Sequence, residues 1–290
     1  MSILCDDPDA MELPHGYCCY KMFFQCNLTT APELPATTLT DSCYSNMFNW
    51  CAFLTASTEL PATTLAPGCY WEMFYGSMIS TPPELPAITL TDSCYYGMFK
   101  QSYITKAPDL PATTLAEWCY GEMFNYCTHL TTGPSILPAE TLAAHCYHDM
   151  FSYSTITTPP ELSAINLAES CCYNMFCGAS LTTATRLPAT TLAEKCYYNM
   201  FAECWSLSTL PLLPATDLPY RCYGQMFYGC NVRLSTEQTG AYQTPYRIPA
   251  ENNTTADRYD AAYDMFVNGP GPLTGTPELN RTYYTSNPVI

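Results

Sequence analysis

The chain has 290 residues, 48% of them hydrophobic, which is ample apolar material for a buried core. Ten Lys and Arg residues stand against 26 Asp and Glu residues, so the formal net charge is −16 at pH 7. So acidic a chain lacks the basic patch that phosphate recognition requires, which excludes nucleic acid as an expected partner. No stretch of the sequence approaches 18 consecutive apolar residues, so no membrane insertion is expected.

The N-terminus does not resemble a secretion signal, because Asp6, Asp7 and Asp9 interrupt it early and no basic region precedes them. We therefore expect synthesis in the cytoplasm with reduced thiols, and we favour a virion or a cell surface as the final location. Residues 1–17 are predicted to be an N-terminal cap and a shortened first coil, since Leu13-Pro14 leads to Cys18 after only three residues.

A repeat dominates the next part of the chain, residues 18–234. Cys, three residues and then Met-Phe occur nine times, with the Cys at positions 18, 43, 69, 94, 119, 146, 171, 196 and 222. A fixed period of 25–27 residues predicts a solenoid, in which each unit contacts mainly its neighbours.

The residue pattern of each unit predicts one short helix and one short strand. Leu39, Cys43 and Met47 follow the i, i+4, i+8 spacing of an apolar helical stripe. Leu54-Thr55 is β-prone, and a nearby Pro limits its length. The predicted fold class is therefore an α/β repeat solenoid, similar to a leucine-rich repeat, with about nine coils and a degenerate C-terminal coil.

The pattern Phe-x-x-Cys-x-x-Leu-Thr, as in Phe124 to Thr131, resembles the leucine-rich repeats of BspA-like surface proteins over about residues 11–234. The resemblance implies a strand-plus-helix solenoid used for adhesion and protein binding, without enzymatic activity. Two motifs of this chain, Pro-Ala-Thr-Thr-Leu and Cys-Tyr-x-x-Met-Phe, depart from that family. The resemblance therefore does not predict the curvature of the solenoid or its binding surface.

The 18 Cys residues do not predict disulfides or zinc sites. A second Cys lies eight residues after the first in five units, but Ser77, Ser102, Ser154 and Ala179 replace it elsewhere while the first Cys stays. Both columns are therefore interpreted as packed, reduced thiols. His145 and His148 flank Cys146, yet that Cys belongs to the common column, so a surface His pair is favoured. No catalytic, cofactor or metal site is predicted.

Columns that vary between units are expected to face solvent, and they are rich in aromatic and small polar residues. The predicted partner-binding residues are Trp50, Trp71, Tyr75, Tyr96, Tyr126, Tyr153, Tyr198 and Tyr228. The alternative is that these rings pack on neighbouring coils. Four sequons, at Asn27, Asn252, Asn253 and Asn280, are possible glycosylation sites, but without a secretory signal most are expected to be unused.

Residues 235–268 are predicted to form a linker and a degenerate capping coil around Met265-Phe266, and residues 269–290 an extended tail. The functional prediction is a non-enzymatic recognition or adhesion scaffold that displays aromatic and polar columns to a protein or glycan. The alternative is a structural subunit of a fibre or shell, assembled from copies of itself by end-to-end stacking or by docking of the tail.

Overall fold

The computed structural model describes residues 13, 15–251 and 260–290. Within these ranges it contains five short strands and no helix: β1 (Ile136–Leu137), β2 (Glu161–Leu162), β3 (Leu234–Ser235), β4 (Thr244–Arg247) and β5 (Thr282–Thr285). The predicted α/β class, with a helix in every coil, is therefore wrong. No helix that could cross a membrane occurs in the described part of the chain.

The segment predicted to be helical is a row of tight turns. In coil 2, the coil of Cys43, the N–H groups of Cys43, Met47 and Cys51 donate to the carbonyl three residues earlier, at 3.1–3.2 Å. Ser42, Asn46 and Trp50 have φ values of 51°, 57° and 57°. A left-handed residue at every fourth position is incompatible with an α-helix. A four-residue turn repeat and a 3.6-residue helix give the same apolar spacing over two turns, which explains the error.

Backbone hydrogen bonds between coils explain why the turns stack. The N–H groups of Tyr44, Asn46 and Phe48 donate to the carbonyls of residues 69, 71 and 73 in the next coil, at 2.7–2.9 Å. Alternate N–H groups therefore close turns within a coil, while the others bond the following coil. This satisfies the backbone of a segment whose inward half is fully buried.

Identical residues stack inside the coils. The rings at the Phe position form an unbroken column from Phe23 to Phe266, with centroid separations of 5.2–5.8 Å. Tyr44, Tyr70 and Tyr95 begin a parallel column of buried tyrosines. The leucines before Pro, including Leu85, Leu110 and Leu137, are also buried. Offset-stacked rings stabilise such a core beyond the area that they bury.

The Leu-Pro side of each coil is extended but barely forms a sheet. Among the described residues of this side, only β1 and β2 pair as a parallel ladder, and single parallel bridges join other coils, such as Thr38 with Thr64 and Thr89 with Thr114. Pro has no N–H to donate, which keeps these pairings short.

The C-terminal region closes the last coil with residues from its own chain. The N–H of Phe266 donates to Gly275 O at 3.0 Å, and the N–H of Asp264 donates to Thr276 Oγ1 at 2.8 Å. Strand β5 lies between β3 and β4 in an antiparallel sheet, with Tyr283 buried. Beyond β5, the N–H of Ile290 donates to Leu210 O at 2.9 Å.

Candidate binding face

The outer side of the turns carries three ridges, which we call together the turn face. The first ridge is the residue pair before the first Cys of each coil, the second is the pair between Tyr and Met, and the third is the pair after Phe. In coil 5 these pairs are residues 117–118, 121–122 and 125–126. Because the coils stack through backbone hydrogen bonds, each ridge runs along the solenoid on a fixed support.

Rings of the second ridge stack from coil to coil. The centroids of Trp71 and Tyr96 are 4.5 Å apart, those of His148 and Tyr173 are 4.7 Å apart, and those of Tyr173 and Tyr198 are 5.0 Å apart. Each ring therefore has a neighbour from an adjacent coil, so its orientation is set before any partner arrives.

Glycine takes the first position of this residue pair in two coils, at Gly121 and Gly224, and planar side chains from neighbouring positions lie beside both. A Cβ added to Gly121 would lie 3.0 Å from the ring of Trp118, which in turn contacts the ring of His148 at 4.8 Å between centroids. A Cβ added to Gly224 would lie 2.8 Å from the ring of Tyr198, and the guanidinium of Arg221 lies 4.8 Å from the ring of Tyr263 in coil 10. The stack thus continues across both glycines.

Rings of the third ridge lean onto the next coil. A Cβ added to Gly76 would lie 2.7 Å from the ring of Trp50. The ring of Tyr153 lies in the same way against Gly178. Tyr126 stacks on Tyr153 with centroids 4.7 Å apart. A larger residue at either glycine would push the ring away.

The structure places all eight predicted partner-binding residues on two adjacent ridges of the turn face. Trp71, Tyr96 and Tyr198 are on the second ridge, and the other five are on the third. Trp50, Trp71, Tyr126 and Tyr153 remain 37–45% exposed, whereas Tyr75, Tyr96, Tyr198 and Tyr228 are half-buried. The rings pack on neighbouring coils and still present surface to solvent, as was expected of columns that vary between units.

Carboxylates lie among the rings. Glu122 accepts a hydrogen bond from Tyr96 Oη at 2.6 Å and forms an ion pair with Lys100. Burial and this hydrogen bond raise the pKa of Tyr96. Burial lowers the pKa of Lys100, but the hydrogen bond and the charge of Glu122 outweigh it and leave that pKa raised. Burial also raises the pKa of the Glu72 carboxyl.

The His pair is part of the ring stack. Trp118 stacks on His145 with centroids 4.3 Å apart, and His148 Nδ1 lies 2.8 Å from Asp149 Oδ2. Burial, followed by the nearby His148, lowers the pKa of His145. Cys146 faces the core between them and is fully buried, so the two imidazoles do not address a solvent-accessible thiol.

The thiols form packed columns. Apart from Cys19, the described cysteines are free thiols, and all but Cys18 and Cys26 are buried. Cys127 Sγ donates to Phe99 O at 2.9 Å, and burial raises the pKa of this thiol to about 12. The described residues contain no group of three or more His, Cys, Asp or Glu side chains that could hold a metal ion.

The four sequons differ in setting. Asn27 is exposed, whereas the amide of Asn280 donates to Ala250 O at 2.7 Å and accepts from the N–H of Ala250 at 2.9 Å. A glycan on Asn280 would break this clip. Asn252 and Asn253 lie outside the described residues.

Sequence reasoning missed several members of the turn face: Trp118, His148, Tyr173, Arg221 and Tyr263. A signal for two of them was present, since Gly121 and Gly224 each share a coil with a planar side chain three residues earlier. Phe53 and Trp205, just past the third ridge, are 56% and 65% exposed, and nothing in the repeat pattern marks them.

Comparison of the chain with protein-family models, with curated proteins and with solved structures found no match. The resemblance to BspA-like repeats therefore depends on the motif alone, and the functional argument depends on the geometry of the turn face.

Proposed function

We propose that the protein is a non-enzymatic recognition scaffold, acting on a virion or a cell surface, whose turn face binds a protein or a glycan. The observation that carries this proposal is the row of partly exposed rings held in register by the coil backbone. Rigid aromatic side chains supply contact area at a low cost in conformational entropy, and neighbouring Asn, Ser and Gln residues supply adaptable hydrogen bonds.

The structural alternative has less support. The C-terminal tail pairs with Leu210, β3 and β4 of its own chain, and the N–H groups of Asp264 and Phe266 in the last coil already have acceptors. A second copy that extended the solenoid from this end would first have to displace Gly275 and Thr276 from the last coil.

The test compares two triple variants. Trp50→Ser, Trp71→Ser and Tyr126→Ser remove exposed rings from the turn face, while Ile88→Ser, Ile136→Ser and Leu212→Ser remove exposed apolar side chains from the Leu-Pro side. Ligands are first selected with the unaltered protein from a glycan array and from a displayed library of random peptides. We expect the ring variant to lose the selected ligands by about tenfold or more in affinity, and the control variant to keep them.

Circular dichroism and unfolding curves establish that both variants remain folded. The proposal is overturned if no ligand is selected, or if the two variants lose binding equally.

A further inference from the structure

The turn face combines rings with an excess of negative charge. Over the nine repeat coils its ridges carry nine carboxylates, including Glu117, Glu122 and Glu169, and four cationic side chains. The surface therefore attracts cations, in agreement with the net charge of −16 for the chain.

All four cationic side chains of the turn face lie over its aromatic rings. The Nζ atom of Lys21 lies 5.2 Å from the ring centres of Tyr20 and Phe24, and Lys100 Nζ lies 5.9 Å from that of Tyr75. Lys195 and Arg221 both lie over Tyr220, at 5.9 and 5.1 Å. Away from this face, Arg281 over Tyr283 is the single such contact within the described ranges. The rings of the turn face thus form cation–π contacts with the protein's own cationic side chains.

Arg221 shows how a guanidinium lies against these rings. Its guanidinium lies 5.1 Å from the ring of Tyr220 and 4.8 Å from the ring of Tyr263 in coil 10, so one planar cation contacts rings of two coils. The positive charge of Arg221 also opposes the rise that burial causes in the pKa of Tyr198. A guanidinium is planar and stacks on rings, and an ammonium does not.

We propose that the partner of the turn face is an arginine-rich segment of another protein, which lies along the ridges with guanidinium groups against the exposed rings and beside the carboxylates. This inference rests on the proposed function and names the chemistry of its ligand. Cation–π contacts and charge complementarity act together in such an interface, and the charge speeds association.

The first measurement compares two labelled peptides of nine residues, one of arginine and one of lysine, by fluorescence anisotropy at physiological salt. Because the peptides carry equal charge, a general attraction to an acidic protein would hold both equally. We expect the arginine peptide to bind at least about fivefold more tightly.

The second measurement separates the turn face from the rest of the acidic surface. Glu117→Gln, Glu169→Gln and Glu194→Gln remove charge from the first ridge, and Glu33→Gln, Glu59→Gln and Glu84→Gln remove the same charge from the Leu-Pro side, where these carboxylates are also exposed. We expect the first set to weaken binding of the arginine peptide by about tenfold and the second by less than about twofold.

The ring variant Trp50→Ser, Trp71→Ser and Tyr126→Ser keeps the charge of the chain. We expect it to bind the arginine peptide and the lysine peptide with about equal affinity. The inference is overturned if the two peptides bind equally to the unaltered protein, or if both sets of Glu→Gln changes weaken binding equally. If the library and the array instead yield neutral peptides or glycans that depend on the rings, the recognition function stands and its arginine-rich partner is wrong.

Discussion

At the scale of single residues, one exchanged residue interrupts the column of stacked tyrosine rings. In coil 7, Cys172 occupies the position that Tyr occupies in the two neighbouring coils. Its N–H donates to Cys196 O, as the N–H of Tyr147 donates to Cys171 O. The tyrosine column is stacked from Tyr44 to Tyr147 and resumes with Tyr197 and Tyr223. The sequence shows that coil 7 lacks this Tyr, but only the inter-coil hydrogen bonds show that its position lies inside a ring column.

We expect Cys172→Tyr to stabilise the protein by about 1 kcal/mol, because the new ring would stack between Tyr147 and Tyr197. The urea unfolding midpoint measures the change. The matched control is Cys171→Tyr, which puts the same ring into the neighbouring Cys column and should destabilise the protein through overpacking. A lower midpoint for Cys172→Tyr would show that the coils leave no room for a ring.

At the scale of elements, the turn segment depends on left-handed residues before the first Cys, before Met and before the second small residue of each coil. Glycine serves at some of these positions, such as Gly68, Gly76 and Gly97, and Asn or Asp serves at others, such as Asn46 and Asp149. These residue types tolerate positive φ, so the three columns carried a signal for turns in the sequence. Glu122, Trp118 and Tyr126 at the same positions obscured that signal.

Gly97→Ala distinguishes the turn segment from a helix by the sign of its effect. In a helix the change would stabilise by about 1 kcal/mol. Gly97 has φ of 57°, and its new Cβ would lie 3.0 Å from the flexible side chain of Glu72, so we expect destabilisation of about 1 kcal/mol instead. Denaturant unfolding measures the difference, and Gly97→Asn should lose less. A more stable Gly97→Ala protein would be incompatible with the left-handed turn.

At the scale of the whole molecule, the core is a bundle of columns with many protonated thiols and phenols. Burial raises the pKa of Cys43, Cys94 and Cys127 from 9.0 to about 12, and the pKa of the buried tyrosines is raised as well. The folded protein therefore holds these protons more tightly than the unfolded chain does. Stability from this source is complete below about pH 9 and is lost as the pH rises toward 12.

We expect the urea midpoint to stay level between pH 7 and 8 and to fall between pH 9 and 11. Each buried thiol contributes a slope of up to about 1.4 kcal/mol per pH unit in the alkaline range. Cys127→Ser, which introduces the residue that Ser102 already provides in the same column, should make that slope shallower. An unchanged midpoint up to pH 11 would mean that the thiols are not buried in the folded state.

The sequence alone determined the period, the packed cysteine columns, the acidity of the chain and the eight rings of the candidate face, but not the buried tyrosine column. It could do so because a fixed period brings equal residues together whatever the backbone of a coil is, and it leaves the unequal ones outside. The tertiary structure decided what the sequence left ambiguous. An apolar spacing of four residues suits a helix and a row of turns alike, and hydrogen bonds from each coil to the next select the turns. The same stacking places Trp118 against His148 and Arg221 against Tyr263, because side chains from different ridges meet only when the coils are in register.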